Sequence, residues 1–326
     1  MSSDQTAPIS LETEPSPQMS SKWADVWRQF KTHRGAVWGS GFLIFITLFV
    51  LVGPLIWWVD PNYLPKGRDF LELRDTRPIY VALWDDGAKV NWAHPLGTDN
   101  LGRDLLAKLI AGGQVSLAVG WVAMVLALVI GAAIGVMAGY FKRLDGPLMR
   151  LTDLFLALPL LPLLLVMMLL FREPLRATMG TEAGTFLLIV VVIGITSWMQ
   201  TARVVRGDVL ALKEREFVLA AQSIGTRPSK IISRHLLPNV MSAIMVSATL
   251  GLASAIITES AISFLGLGFP PDYPTWGKLL SDATPRLQRF PERVIWPGIC
   301  ISFTVLSVNY IGDGLRDALD PRIRGR

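Results

Sequence analysis

Six long apolar runs alternate with polar segments along the chain. About 20 apolar residues in a helix cross the roughly 30 Å of hydrocarbon in a bilayer, and each run is near or above that length. We therefore predict an all-α integral membrane protein with six transmembrane helices. The predicted spans cover residues 37–59, 115–140, 148–171, 185–205, 240–267 and 294–315.

The third run leaves two structures open. It contains Pro159 and Pro162, and each proline removes a backbone donor from a helix. The run is either one kinked span or a break between a half-span and an elbow helix on the cytosolic side.

The residues before the first span form two predicted segments. Residues 1–21 are rich in acids, prolines and serines and lack the basic start and apolar core of a signal peptide. We predict a disordered tail there. Residues 22–36 place Trp23, Trp27 and Phe30 on one helical face, with bases largely on the other. This pattern predicts an interfacial amphipathic helix.

Composition supports a membrane protein and indicates its orientation. The chain is 51% apolar and only 17% charged, with a mean hydropathy of +0.43, which is more apolar than a soluble domain of this length. The 31 Lys and Arg exceed the 26 Asp and Glu. Bases near the spans concentrate in residues 1–36, 141–147, 206–239 and 316–326, so the positive-inside rule predicts that both termini are cytosolic.

The sequence lacks the motifs of several kinds of active site. It has no phosphate-binding G-x-x-x-x-G-K-[ST] loop and no H-E-x-x-H, and His33, His94 and His235 are far apart. Cys300, in an apolar run, is interpreted as a small buried hydrophobe. We predict no catalytic residue, no metal, no bound cofactor and no nucleic-acid partner. A membrane enzyme would need clustered catalytic groups, and a self-sufficient secondary transporter would normally show an internal repeat.

Two acids, Asp153 and Glu259, lie in apolar surroundings, where a carboxylate needs a partner or a cavity. We expect Asp153 to pair with Arg150, one turn away. Glu259 has small or hydroxylic neighbours, so it either lines a translocation path or holds helices together. The candidate residues for this path or packing site are Glu259, Gly251, Ser254, Thr258 and Ser263.

Small residues recur at every fourth position in "GAAIGVMAG", residues 131–139. In a membrane span, this pattern predicts close approach of another helix.

The segment "AAQSIGTRPSKIISRHLLPN", residues 220–239, lies between two apolar runs and belongs to neither. Gly225 can adopt the left-handed conformation that ends a helix, and Pro228 suits the start of the next one. Pro238 is predicted to end this second helix, where the chain returns to the membrane. The segment is therefore a broken, basic helix pair, either a plain amphipathic loop or a docking element.

Four stretches resemble one family. "HPLGTDNLGRDLLAKLIAGGQVSL" (residues 94–117), "ESAISFLGLGFPPDYPTWGKLL" (259–280) and "GDGLRDALDPRIR" (312–324) resemble segments of peptide-type ABC importer permeases. Residues 220–239 resemble the EAA loop of ABC importer permeases in general. Over residues 25–326, the chain is similar to the C-type subunit of a dipeptide/oligopeptide permease pair.

The resemblance implies a type I ABC importer permease (MetI-like) fold in a bacterial inner membrane. Residues 60–114 would be extracytoplasmic, 115–315 would form a five-helix core, and 316–326 would be a cytosolic tail. Its implied partners are a second permease subunit, two ATPase subunits that bind the ATP, an extracytoplasmic solute-binding protein and membrane lipids. The implied solute is a di- or oligopeptide, with nickel, glutathione or another small solute as the alternative.

The resemblance also implies that residues 208–239 couple the chain to the ATPase. Leu219 stands where the motif has glutamate, and His235 where it has isoleucine. The implied coupling residues are Ala220, Ala221, Ser223, Gly225, Thr226, Arg227, Pro228, His235, Leu237 and Pro238.

Overall fold

The computed structural model of the chain describes residues 22–83 and 85–319. The predicted disordered tail, residues 1–21, lies outside the described residues, as do residues 320–326 of the predicted C-terminal tail.

Helices dominate the described part of the chain. Five are long and apolar enough to cross a membrane, and the count is six if one bent pair is a single span. The predicted all-α membrane fold is confirmed. The α-helices of the described residues are α1 (Lys22–Thr32), α2 (Arg34–Ile56), α3 (Gly67–Leu73), α4 (Leu105–Tyr140), α5 (Lys142–Ala157), α6 (Leu160–Met179), α7 (Thr181–Lys213), α8 (Glu216–Ser223), α9 (Pro228–Ile231), α10 (Leu237–Phe264), α11 (Trp276–Ala283) and α12 (Glu292–Leu319).

The two ends of the helix bundle carry different elements. At one end, α8 and α9 link α7 to α10, and α1 packs against the end of α12; we call this the α8 end. At the opposite end, residues 57–104 pack against residues around α11. There, the Asp75 carboxylate accepts hydrogen bonds from Arg286 at 2.8 Å and Arg293 at 3.0 Å. These ion pairs join two segments that are far apart in sequence.

The predicted third span is broken. The axes of α5 and α6 differ by 89°, so a single helix over residues 148–171 is wrong and the alternative with a break is correct. Leu158 is extended, with ψ 133°, because a residue before proline avoids the α region. Pro159 precedes the first turn of α6. The 20 residues of α6 extend about 30 Å, enough to cross the hydrocarbon.

The partner predicted for Asp153 is also wrong. Its carboxylate accepts a hydrogen bond from Arg203 on α7 at 2.6 Å and not from Arg150. A second pair, between Asp145 and Arg206, joins the same two helices, with Nη2 and Oδ2 2.7 Å apart. The charges of α5 therefore hold it against the next span instead of pairing along their own helix.

Two predicted helix ends differ from the structure. The second span begins at Leu105, not residue 115, because the Asp104 carboxylate caps α4 by accepting the Ala107 N–H at 2.6 Å. Pro238 does not end the helix that precedes it. A π-helical turn, Ile232–Leu236, joins α9 to α10, so Pro238 falls in the first turn of α10. The missing donor of a proline is tolerated there.

Close packing between α4 and α7 is confirmed. A Cβ added at Gly131 would lie 2.6 Å from the Trp198 carbonyl, and one at Gly135 would lie 2.7 Å from the Ala202 carbonyl. Both distances are too short for a methyl group, so the backbones approach as closely as glycine allows.

Replacing Gly135 with valine tests this contact. We expect Gly135→Val to lower the thermal unfolding temperature of the purified protein, because overpacking costs about 1–3 kcal/mol or more. Gly207→Val is the matched control, since a Cβ at Gly207 on α7 meets no atom within 4 Å. Equal unfolding temperatures for the two variants would contradict close packing of α4 and α7.

Candidate functional site

The turn between α8 and α9 has the predicted glycine break. Gly225 has φ +78°, its N–H donates to the Gln222 carbonyl at 2.9 Å, and the Thr226 N–H donates to the Ala221 carbonyl at 3.1 Å. These two bonds form a Schellman motif, which ends a helix on a left-handed residue. The predicted helix end at Gly225 is confirmed.

One face of the α8–α9 pair is fixed to the bundle. Val218 on α8 and Ile231 on α9 are buried. They belong to a buried cluster that also contains Ala221 of α8 and residues from α4, α7, the π turn and α10: Val136, Val205, Val209, Leu236, Val240 and Ile244. Because this cluster ties α8 and α9 to three spans, a displacement of the pair has to move the spans with it.

The remaining surface of the pair is exposed, and we call it the outer face. It carries the apolar Phe217, Leu219 and Ile224 beside the basic Arg227 and Lys230. Ile224, at the tip, is 83% exposed. Large apolar side chains left exposed on a short helix pair mark a candidate interaction site.

The predicted coupling residues divide between the two faces. Ala221 is only 7% exposed and packs inside the chain, so of the two alanines only Ala220 lies on the exposed surface. His235 is half-buried, with its ring 6.2 Å from that of Phe217; Thr226 is half-buried as well. The remaining predicted residues are exposed: Ala220, Ser223, Gly225, Arg227, Pro228, Leu237 and Pro238.

Glu259 has no exposed surface in this chain. Its Oε2 accepts a hydrogen bond from the Ser116 hydroxyl at 2.9 Å, and its Oε1 accepts one from the Ser263 hydroxyl at 2.7 Å. The Ser116 oxygen also accepts the backbone N–H of Trp276 at 3.2 Å. The carboxylate thus links α10 to α4 and, through Ser116, to α11.

The residues grouped with Glu259 by sequence do not share one surface. Ser263 is buried beside it, and a Cβ at Gly251 would face Met124 of α4 at 3.6 Å. Thr258 is nearly buried and donates to the Ser254 carbonyl at 2.8 Å. Ser254 itself is exposed. It lies on a stripe of α10 that no element of the described chain covers; this open face of α10 consists of Leu250, Ser254, Ile257 and Phe264.

The stretch around residues 94–104 positions α4, a role that sequence reasoning missed. Asp104 Oδ2 lies 2.6 Å from His94 Nδ1, and its Oδ1 accepts from Trp57 Nε1 at 3.1 Å. An aspartate directly before an apolar helix is the signal that could have identified this cap.

Nearby Asp99 is held in its charged form. Burial opposes ionisation, but the charges and hydrogen bonds of Lys108 and Arg103, each 2.9 Å away, outweigh it and lower the pKa of Asp99. The ionised carboxylate thereby fixes the loop onto the start of α4.

Comparisons with known proteins agree with this architecture. Residues 127–325 match the family model described as binding-protein-dependent transport system inner membrane component. Residues 21–74 match the N-terminal TM domain of oligopeptide transport permease C.

Two curated relatives match nearly the whole chain. The oligopeptide transport system permease protein OppC of Bacillus subtilis is 34% identical over 305 residues, covering 93% of this chain and 91% of OppC. The di/tripeptide transport system permease protein DppC of Pseudomonas aeruginosa is 35% identical over 313 residues, covering 96% of each.

A solved structure shows the same fold. The MetNI methionine ABC transporter in an inward-facing conformation has a chain that matches with a TM-score of 0.53 and 19% identity. The match covers 65% of this chain and 96% of that one.

The Glu259 contacts generate a prediction. We expect Glu259→Gln to lower the thermal unfolding temperature, because the amide cannot accept from both serines as the carboxylate does, and a poorly paired buried polar group costs about 1–3 kcal/mol. Ser254→Ala, on the open face of the same helix, should leave this temperature unchanged. Transport that falls in Glu259→Gln at an unchanged unfolding temperature would instead indicate a role in the translocation path.

Proposed function

The chain belongs to the family of binding-protein-dependent transport system inner membrane components, and we propose that it forms half of the translocation path of a peptide importer. As an ABC importer permease of the inner membrane, it works together with ATPase subunits and a solute-binding protein. The names of the relatives that cover more than nine-tenths of the chain support di- or oligopeptides as its solute.

The other half of the path is a second permease subunit. The open face of α10 supports this assignment, because Leu250, Ile257 and Phe264 are exposed side by side in a helix that otherwise packs against α4, α7, α11 and α12. Apolar residues exposed in one stripe are matched by another protein surface or by lipid. Ser254 on that stripe would then face the path, while Glu259 holds α10 to α4 behind it.

Both termini and the α8 end face the cytosol in this proposal. The charge distribution supports it, since Arg227, Lys230 and Arg234 lie at this end and cytosolic segments are enriched in bases. Residues 57–104 and α11 then face the solute-binding protein.

The outer face of the α8–α9 pair docks against an ATPase subunit. The observation that carries this step is the exposure of Ile224, Phe217 and Leu219 on a helix pair whose buried residues pack against α4 and α7. Leu219 occupies the position of the motif glutamate and points outwards, so its contact with the partner is apolar. The bases Arg227 and Lys230 favour acidic groups at the margin of the partner surface.

Coupling follows from the continuity of the helices. Because α9, the π turn and α10 form one uninterrupted helical segment, Pro228–Phe264, a movement of the docked pair is transmitted directly into a membrane span. ATP binding and hydrolysis in the partner would bias two states of the spans through their different contacts with the outer face. This chain needs no catalytic group for that role.

Replacing Ile224 with glutamate tests docking. Burying an isoleucine contributes about 1.5–3 kcal/mol, so we expect Ile224→Glu to weaken association with the ATPase by roughly tenfold or more. The measurement is copurification of tagged permease with the ATPase, followed by uptake in proteoliposomes. Leu71→Glu is the control, because Leu71 is 69% exposed at the opposite end. Equal association for Ile224→Glu and Leu71→Glu would contradict docking through the outer face.

Replacing Gly225 with valine tests the lever. A Cβ there meets no atom within 4 Å, so the change acts through φ, since a left-handed conformation costs a non-glycine residue about 1–2 kcal/mol. We expect Gly225→Val to uncouple ATP hydrolysis from uptake in the reconstituted complex, with the helix bundle intact. Gly207→Val, also without a clash, is the control. Unchanged transport and stimulated hydrolysis in Gly225→Val would refute the lever.

A further inference from the structure

A cleft lies along α2 beside its junction with α1, at the α8 end. It has a volume of about 590 Å³ and opens away from the bundle. Its lining combines two bases with apolar residues and a glycine: Lys31, Arg34, Val37, Trp38, Gly41, Phe42 and Phe45. Its lining includes no residue of the outer face, of the Glu259 hydrogen bonds or of the Asp104 cap.

The charges of the cleft are confined to one end and have one sign. Lys31 and Arg34 are exposed, and within the described residues no acid lines the cleft and no carboxylate lies within ion-pair distance of either base. The Lys31 ammonium is placed over the Trp27 ring, 5.0 Å from its centroid, which orients the side chain and leaves its N–H groups able to donate. This end of the cleft is complementary to an anion.

The remainder of the cleft is apolar and follows the span. Phe42 is fixed from behind by Trp38, 6.2 Å between ring centroids, and by Phe303 of α12 at 5.4 Å. Phe45 is 60% exposed further along the helix. From Arg34 to Phe45 the helix rises about 16 Å, so the lining changes from cationic to aromatic along the direction in which a lipid extends from head group to acyl chain.

Gly41 leaves the floor of this cleft open. A Cβ there meets no atom within 4 Å, whereas one at Gly39, on the packed side of α2, would lie 2.6 Å from the Ser307 carbonyl. Packing within the chain explains Gly39 but not Gly41, although a glycine in a helix interior costs about 1 kcal/mol relative to alanine. The space above Gly41 is continuous with the cleft, where an acyl chain can lie against the backbone.

We propose that this cleft binds an anionic glycerophospholipid of the leaflet at the α8 end. Lys31 and Arg34 bind the phosphate, and Trp38, Phe42 and Phe45 contact one acyl chain across Gly41. A zwitterionic lipid fits less well, because its ammonium group meets two like charges and no acid among the lining residues. A bound lipid would hold α1 at the membrane surface beside the start of α2.

The test measures lipid retained by the purified permease complex. Native mass spectrometry is performed after addition of phosphatidylglycerol or phosphatidylcholine with the same acyl chains. We expect preferential retention of phosphatidylglycerol, and a loss of about tenfold or more in its affinity for Lys31→Glu/Arg34→Glu, since each base near a membrane contributes roughly fivefold. Gly41→Leu, which fills the cleft without a clash, should weaken retention of phosphatidylglycerol while both bases remain.

Two controls separate a defined site from general attraction. Lys142→Glu/Arg143→Glu makes the same change in charge at an exposed pair on α5 and should leave retention unchanged, and Gly207→Leu controls for the loss of a helical glycine. Glycerol phosphate without acyl chains should not displace the lipid, because most residues that line the cleft are apolar. Equal retention of the two lipids, an equal loss in the α5 pair, or unchanged retention in Gly41→Leu would each overturn the proposal. The same holds if the assembled complex excludes lipid from this cleft.

Discussion

The approach of α4 to α7 along Gly131, Gly135 and Gly139 sets the position of the α8 end of the molecule. No hydrophobic force drives one helix onto another in lipid, so close backbone contact has to supply the attraction. Each of these glycines would place a Cβ within 2.7 Å of an atom on α7. The cluster that anchors the α8–α9 pair begins where this stripe ends, since Val209 contacts Gly139 and also belongs to that cluster. The position of the outer face therefore depends on the contact between α4 and α7.

Buried polar groups complement this apolar packing. Glu259 in α10 has its carboxylate satisfied by hydroxyl groups from α4 and from its own helix, and the Trp276 indole donates to the Leu109 carbonyl at 3.0 Å. Removing one partner of such a group leaves the other unsatisfied in a medium without water. These contacts specify which helices meet and in which register, a selectivity that apolar packing alone lacks.

The sequence predicts the helices because hydrocarbon imposes a long apolar run, and it predicts the turn at Gly225 because that signal is local. Features that depend on contacts between helices were not predictable in the same way. Asp153 has two candidate partners, Arg150 on its own helix and Arg203 on α7. The packing of α5 against α7 places Arg203 within hydrogen-bonding distance. From the sequence alone, Pro238 indicates a helix end. In the structure, a π turn precedes α10 and Pro238 falls in the first turn of that helix. The small and hydroxylic residues near Glu259 looked like one site, yet their angular positions on α10 place Ser254 and Ser263 on different faces.

Gly39, Gly41 and Gly225 lie in three different structural surroundings. Gly39 lacks a side chain because α12 lies against it, and Gly225 because its φ is positive. Gly41 meets neither condition, and its open side lies in a cleft that is cationic at one end and aromatic at the other. A surface of that kind is complementary to a lipid head group and acyl chain. The relevant physical question is thus which lipid occupies it, and the absence of acids among its described lining residues favours the anionic one. Because α1 also packs against the end of α12 through Phe30 and Ala318, a lipid held there would stabilise the same end of the bundle from which the outer face projects.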